Sequence, residues 1–485
     1  MKNLKRFTCS YVLLAVSDLV AFIAVFSLSF VVSHWISESV IGREFMVYSS
    51  RETYFWMWLY IAEALSSMML FAGRGHYAQR VPFWEQLRHL VLNAVTMMLL
   101  AGFILYVFKL PFSRLWVVTC WAMTVPFLVL MRFGARNLSL ALGGWGTPVV
   151  LIGDRESLPE VMYALAADHY NVYWINDVYI VGSREPLGTD SMPAAAHGCR
   201  QHFVTSRDIY GVLDKYTDCM VILMQDDHHI SLKKFMLEAS KRRIEVAFAP
   251  PLKGLSLYGM RVQNFFGSHT VLLRPRRPVD KPLNRIMKRA MDVIGALAGL
   301  VLLGIPMLAV ALMIKRDGGP AFYAQERVGY RGRPFRCWKF RSMVANADEV
   351  LHKLLASDAK AKAEWEKDFK LKNDPRVTRL GQFIRKTSID ELPQLWNVLR
   401  GDMSLVGPRP IVAKELTDFY GDSAGDYMAV KPGVTGLWQV SGRNDVSYDY
   451  RVYLDTWYVS HWSVWTDIVI IIETLGILIS RDGAY

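Results

Sequence analysis

"NRIMKRAMDVIGALAGLVLLGIPMLAVALMIKRDGGP", residues Asn284 to Pro320, decides how this chain is built. From Ala290 to Ile314 it is apolar apart from Asp292, long enough to cross the ~30 Å hydrocarbon layer of a bilayer. Basic residues stand at both ends: Arg285, Lys288 and Arg289 before, Lys315 and Arg316 after. The positive-inside rule therefore favours both ends on the cytoplasmic side. Pro306 lies inside the run, lacks an N–H, and clashes with the carbonyl of Leu302, so the helix should break or kink there. A helix that enters the membrane, bends at Ile305-Pro306 and returns satisfies both observations, provided the freed backbone groups find partners at depth. A kinked helix that crosses is the alternative; it would leave the rest of the chain outside the cell.

Upstream, four apolar stretches of roughly 20 residues each run over Tyr11–Val32, Tyr54–Ala72, Leu90–Phe108 and Leu115–Phe133. Trp35, Tyr54, Trp56, Trp84 and Trp116 sit near their ends, where interfacial belts form. Eight basic residues (Lys2, Lys5, Arg6, Arg74, Arg80, Arg88, Arg132, Arg136) fall on one side and four (Arg43, Arg51, Lys109, Arg114) on the other. That asymmetry puts the N-terminus and everything after residue 136 in the cytoplasm. Asp18 lies within the first stretch, where a functional and a structural role are equally open. The stretches otherwise carry little polarity, which speaks against a transporter.

The 485-residue chain is 52% apolar yet carries a net charge of +12. The pairing fits a membrane protein with cationic loops or one that handles anions. No nucleic-acid-binding motif is present, so no nucleic acid partner is expected. Five cysteines without a C-x-x-C pair argue against a disulfide framework or zinc site and fit a reducing compartment.

From Thr147 the pattern changes. "TPVVLIGD", "NDVYIVG", "CMVILMQ" and "IEVAFAP" read as strands, with helices at Ser157–Ala167 and in "SLKKFMLEASKRR". Alternation of this kind predicts a small parallel α/β unit. The glycine fingerprint of a dinucleotide site is absent, since Gly153 stands alone, so the unit reads as a degenerate Rossmann-like domain. "RPRRPVDKP" (Arg274–Pro282) reads as a linker. The expected domains are residues 1–140 (four transmembrane helices), 141–273 (α/β, cytoplasmic), 274–282 (linker) and 283–485 (mainly helical and catalytic, with the re-entrant helix at about 284–315).

After the decisive segment come clustered basic residues. "QERVGYRGRPFRCWKFRSM" holds Arg327, Arg331, Arg333, Arg336, Lys339 and Arg341, and "NDPRVTRLGQFIRKTS" adds Arg376, Arg379, Arg385 and Lys386. They are a solvated basic face or loops converging on phosphate at the membrane surface. Beside them Asp390 and Glu391 are adjacent. Ser388-x-x-Glu391 fits a capping box, which makes the pair structural. Equally, two carboxylates among arginines can hold Mg²⁺ against a diphosphate or attack phosphorus, with the arginines and a helix N-terminus keeping them ionised. Asp348–Lys372 reads as an exposed charged helix. Near the C-terminus, Trp462, Trp465, Val469 and Ile472 fall at helical spacing, on an interfacial helix or in a core.

The ordered motifs "KFRSM" (Lys339–Met343), "NDPRVTRLG" (Asn373–Gly381), "RKTSIDELPQLWNVLRGDMSLVGPRP" (Arg385–Pro410) and "KPGVTGLWQVSGRND" (Lys431–Asp445) resemble the monotopic bacterial sugar transferases, or polyprenyl-phosphate phosphoglycosyl transferases. The resemblance covers Lys281–Tyr485, and the preceding spans and α/β domain look like those of the long-form members. It implies an enzyme of the inner membrane that transfers hexose-1-phosphate, with galactose expected ahead of glucose, from a UDP-sugar to undecaprenyl phosphate. That would be the first membrane step of O-antigen, capsule or exopolysaccharide synthesis. It implies Asp390 as nucleophile and Glu391 as its partner, both toward Mg²⁺. Lys339 and Arg385 match basic active-site positions, Pro408-Arg409-Pro410 a nucleotide-site loop, and Arg341 and Arg376 substrate-binding positions. Ile305-Pro306 stands where the family commonly has a Ser-Pro kink. A homodimer through the middle domain is a further expectation. The rival class is a membrane-anchored, nucleotide-sensing regulator.

Overall fold

The computed structural model describes residues 2–42, 50–109, 113–168, 170–188, 192–205, 208–216, 219–224, 231–242, 244–249, 261–264, 271–274, 282–316, 318–344, 346–357, 374–441 and 448–480. They form two compact units, Met1–Lys253 and Gly254–Tyr485. Most of the expected linker, 275–281, lies outside the described residues, as do 358–373 of the expected charged helix. Ala347–Ser357 of that stretch is helical. By length and composition five helices could cross a membrane: four in the first unit and Pro282–Lys315 in the second.

The four are α1 (Lys2–Ile36), α2 (Ser50–Gly73), α3 (Phe83–Val107) and α4 (Arg114–Ala141). They pack around Phe22, Trp56, Tyr60, Phe71 and Trp121. Trp56 and Trp116, expected at the interface, are instead buried against each other with ring centroids 5.9 Å apart. Trp116 also donates its indole N–H to Ser29 at 2.9 Å. A large ring with one satisfied donor fills a helix interface well. Trp35 and Tyr54 do face outward.

The bundle also holds more polarity than its sequence suggests, and the argument against a transporter on that ground fails. Asp18, Glu63, Gln86, Asn93 and Arg132 are all buried. Arg132 grips Asp18 with Nε at 2.8 Å and Nη2 at 2.6 Å, and Tyr77 donates to the same carboxylate at 2.6 Å. The remaining Nη1 donates to His76 Nδ1 at 2.8 Å and to Gln86 at 3.1 Å. Asp18 is therefore structural. Arg132 leaves the set of loop charges used for orientation, and the asymmetry survives without it.

In the same unit, β1 (Thr147–Gly153), β2 (Tyr173–Val181), β3 (Arg200–Val204), β4 (Met220–Met224) and β5 (Val246–Ala249) form a parallel sheet in the order β3-β2-β1-β4-β5. This is the doubly wound order expected of a Rossmann-like unit. Two helices flank it, α5 (Leu158–Ala167) and α6 (Leu232–Lys241). Ahead of α5, where a dinucleotide would present its pyrophosphate, the Asp154 carboxylate accepts the backbone N–H groups of Glu156 and Ser157, both at 3.0 Å. A fixed carboxylate there repels phosphate, in keeping with the missing glycines.

The second unit contains a hairpin of β6 (Arg261–Asn264) and β7 (Val271–Arg274), then α7 (Pro282–Lys315). Helix α7 is followed by the hairpin β8 (Phe322–Val328) and β9 (Pro334–Phe340). Helix α7 continues through Pro306. Both its ends pack on this one unit. Ala296 and Leu300 join Cys337, Leu395, Val398 and Met403, while Met307, Val310 and Ile314 join Ala321, Phe340 and Ile384. Between them Val301, Leu302 and Ile305 are bare, Ile305 being 83% exposed.

Polar ties fix the first end. Buried Asp292 accepts Ser404 Oγ at 2.8 Å and Leu405 N at 3.0 Å. Lys288 reaches Asp467 at 2.7 Å, and Arg289 donates to the carbonyls of Val398 and Leu399. Lys288 and Arg289 thus serve the fold as well as any charge rule. Helix Val464–Ser480 has one packed side and one bare side. Its Ile470 is core, while Ile472, Leu475 and Leu478 lie bare.

Candidate active site

The acid pair stands at a reversal between two helices. Helix Arg379–Lys386 starts at Thr378, whose Oγ1 accepts Gly381 N at 2.8 Å. Ser388 then takes φ +56°, a left-handed conformation that a side chain disfavours. A single 3₁₀ turn, Ile389–Glu391, follows, and the next helix, Gln394–Arg400, begins only after Pro393. The expected capping box is not formed. Ser388 makes no side-chain cap; the Glu391 N–H donates to the Ser388 carbonyl at 3.3 Å instead.

The Glu391 side chain turns to β9. Lys339 Nζ donates to its Oε1 at 2.6 Å, with both groups about three-quarters buried. Asn397 sets that distance. From helix Gln394–Arg400 it donates Nδ2–H to the Arg336 carbonyl at 2.7 Å and accepts Trp338 N at 3.1 Å, clamping the strand beside the turn. Sequence reading missed Asn397, because nothing local marks an asparagine as a bridge to a strand 59 residues earlier.

Asp390 is half-buried, and among the described residues no other side chain hydrogen-bonds or ion-pairs with it. Burial raises its titration above the ordinary carboxylate range, the Glu391 charge raises it further, and Lys339 and Arg385 pull it back. The basic neighbours do favour the ionised form, as expected, although desolvation is the larger influence. Arg385 donates Nε–H to Ser342 Oγ at 2.8 Å, which points its guanidinium toward the turn.

The remaining candidates divide. Arg341 donates to the Ile314 carbonyl at 3.2 Å, where α7 ends. A Cβ on Gly319 would stand 1.5 Å from its Nη1, so a side chain there would push the guanidinium aside. Arg376 is bound bidentately by Asp374, at 2.8 and 2.7 Å, which holds the Asp374 carboxyl below its usual range despite burial. Its guanidinium is committed to its own loop. Pro408 accepts Gly433 N at 2.8 Å, and the Arg409 carbonyl accepts the Tyr427 hydroxyl at 3.2 Å. The Arg409 side chain lies beside Trp438. Ile305 and Pro306 are on the bare stretch of α7, apart from these groups.

Among the described residues, no three His, Cys, Asp or Glu side chains gather to hold a metal. Asp390 and Glu391 suit Mg²⁺ in another way. It takes one or two carboxylates and completes its shell with substrate phosphate and water, and two repelling acids offer that set.

Residues 283–481, the region carrying this site, match the bacterial sugar transferase domain. A UDP-galactose-lipid carrier transferase of Erwinia amylovora is 39% identical over 412 residues, covering 84% of each chain. An undecaprenyl-phosphate galactose phosphotransferase of Salmonella typhimurium is 40% identical over 412 residues, again 84% of each. The chain belongs to the bacterial sugar transferase family. The exopolysaccharide production protein ExoY of Sinorhizobium fredii is 47% identical over 206 residues, 42% of this chain and 91% of its own.

Proposed function

We propose that this sugar transferase moves hexose-1-phosphate from a UDP-hexose to undecaprenyl phosphate through a covalent link to Asp390. One observation carries the reading: Asp390 is half-buried and without a side-chain partner among the described residues, while the charges around it are fixed by Lys339–Glu391 and Arg385–Ser342. A structural carboxylate would be tied down; this one is left free to react.

In the first step an Asp390 oxygen attacks the sugar-bearing phosphorus. The P–O bond to the other phosphate breaks, and UMP leaves with the bridging oxygen and its electron pair. The sugar phosphate is then an acyl phosphate on Asp390. In the second step an oxygen of undecaprenyl phosphate attacks that phosphorus and expels the Asp390 carboxylate, giving undecaprenyl-diphosphate-hexose. Lys339, Arg385 and Arg409 offset the charge that builds on phosphorus. Mg²⁺ held by Asp390 and Glu391 would neutralise part of it. Glu391, held by Lys339, fixes the turn and keeps a second negative charge beside the nucleophile.

For the lipid substrate, α7 acts as a re-entrant helix that dips into the cytoplasmic leaflet of the inner membrane. The packing of both its ends on one unit supports this, as does its bare apolar middle. A crossing helix would separate those ends by a bilayer. The four N-terminal helices anchor the chain, with the sheet domain and the acid pair in the cytoplasm. Galactose is the preferred sugar because two long relatives carry it in their names. A panel of UDP-sugars with undecaprenyl phosphate, read as UMP, tests this. UDP-galactose should lead and UDP-glucose follow; no UMP from any sugar defeats the proposal.

A further inference from the structure

A second cluster in the same unit shares only Arg409 with the steps above. Trp438, on the short helix Leu437–Val440, is buried, with two guanidinium groups beside it. Arg451 Cζ lies 4.3 Å from the ring centroid and Arg409 Cζ 5.5 Å. Arg451 also covers the Tyr448 ring at 5.0 Å. Among the described residues neither arginine forms an ion pair. Two like charges over one indole, without a counter-ion, await an anion.

The cluster also holds unused hydrogen-bonding capacity. Among the described residues, Trp438 Nε1, the Tyr448 hydroxyl, Arg451 Nε and Asp455 Oδ1 are buried with no hydrogen-bond partner. Each such group costs about 1–3 kcal/mol unless something binds it, and four in one place mark a site shaped for a ligand. Asp455 lies one helical turn beyond Arg451, and its other oxygen accepts the Tyr420 hydroxyl at 2.8 Å. Burial pushes the Asp455 carboxyl up to about 7, against Tyr420, Arg451 and Arg409. It is therefore no permanent counter-ion to the arginines at neutral pH. The Cys337 thiol, raised chiefly by burial, feels both Glu391 and Arg409, so the cluster and the acid pair share this neighbour.

We propose that Arg451 and Trp438, together with Arg409, bind the nucleoside monophosphate half of the sugar donor, and that Asp455 and Tyr420 position Arg451. The phosphate lies between the guanidinium groups and the base uses the indole face and the buried N–H and hydroxyl groups. This deepens the transferase reading and rests on it. Neither Arg451, Trp438 nor Asp455 stood out in the sequence.

The test is equilibrium binding of UMP to the full-length protein in detergent, alongside KM and kcat for the UDP-sugar. Arg451→Gln should weaken UMP binding about 10- to 100-fold, the scale of a hydrogen bond to a charged group, and raise KM more than it lowers kcat. Trp438→Phe keeps the ring, loses the N–H, and should weaken UMP by a smaller factor; it serves if Arg451→Gln does not fold. Tyr420→Phe, which touches no ligand, should raise KM with kcat preserved. Wild-type UMP affinity in both Arg451→Gln and Trp438→Phe overturns the proposal, as does a loss confined to kcat. Failure of the transferase reading looks different: wild-type protein would bind UMP, lose it in Arg451→Gln, and still turn over no UDP-sugar.

Discussion

Two buried aspartates show how the same side chain is put to opposite uses. Asp18, in the helix bundle, accepts three hydrogen bonds, two from Arg132 and one from Tyr77, and Arg132 is itself completed by His76 and Gln86. Nothing remains free to react. Asp390 sits at a turn where the neighbouring charges are paired with other groups: Lys339 with Glu391, Arg385 with Ser342. It keeps its lone pairs and a raised titration. Desolvating a carboxylate costs free energy in both places. The bundle offsets that cost with partners, whereas the turn keeps the group reactive.

The contrast can be broken by mutation. Asp390→Asn should reduce UMP release by at least about a thousand-fold, the scale on which a lost nucleophile acts, and leave the fold intact. Arg132→Leu should do the reverse. It strands Asp18 in the bundle and destabilises the protein by about 3–5 kcal/mol, visible in thermal unfolding in detergent. Replacing Asp18 by leucine as well should recover most of that loss.

Smaller effects sharpen the comparison. Lys339→Met should cost roughly 100-fold in rate and move the acid limb of the kcat/KM profile to higher pH. The sign follows from the environment of Asp390: its ionised form attacks and is lost as pH falls through a value already raised, and removing Lys339 raises that value further. Glu391→Gln removes the like charge and should move the same limb to lower pH. A pH-rate titration of the two variants checks both directions, and identical limbs would contradict them. Ser388→Gly should be the mildest change, adding up to about 1 kcal/mol by relieving the left-handed serine, with activity changed less than tenfold.

How much of this was legible beforehand depended on the range of the interaction. The places of the four apolar helices and of α7 were plain, because they rest on local composition, although the helices run past the apolar stretches that marked them. The sheet was legible except for β3, whose "RQHFV" lacks an apolar run. The acid pair was found, but its turn was misread. Ser388-x-x-Glu391 has the spacing of a capping box, and only tertiary structure reveals that Lys339, 52 residues earlier, draws Glu391 away. Asp18 and Arg132 are 114 residues apart, so no window could pair them. Trp56 and Trp116 resembled belt residues because end-of-span position does not tell a lipid-facing side from a packed one. Arg451, Trp438 and Asp455 carry no spacing signal at all; their common site exists only in the fold.

The most direct test omits the lipid. Full-length protein mixed with UDP-galactose and no undecaprenyl phosphate should release a burst approaching one UMP per chain and then stop. Intact-mass and peptide analysis should locate a phosphohexose on Asp390. Absence of UMP until lipid is added, or a burst of equal size in Asp390→Asn, would contradict the account.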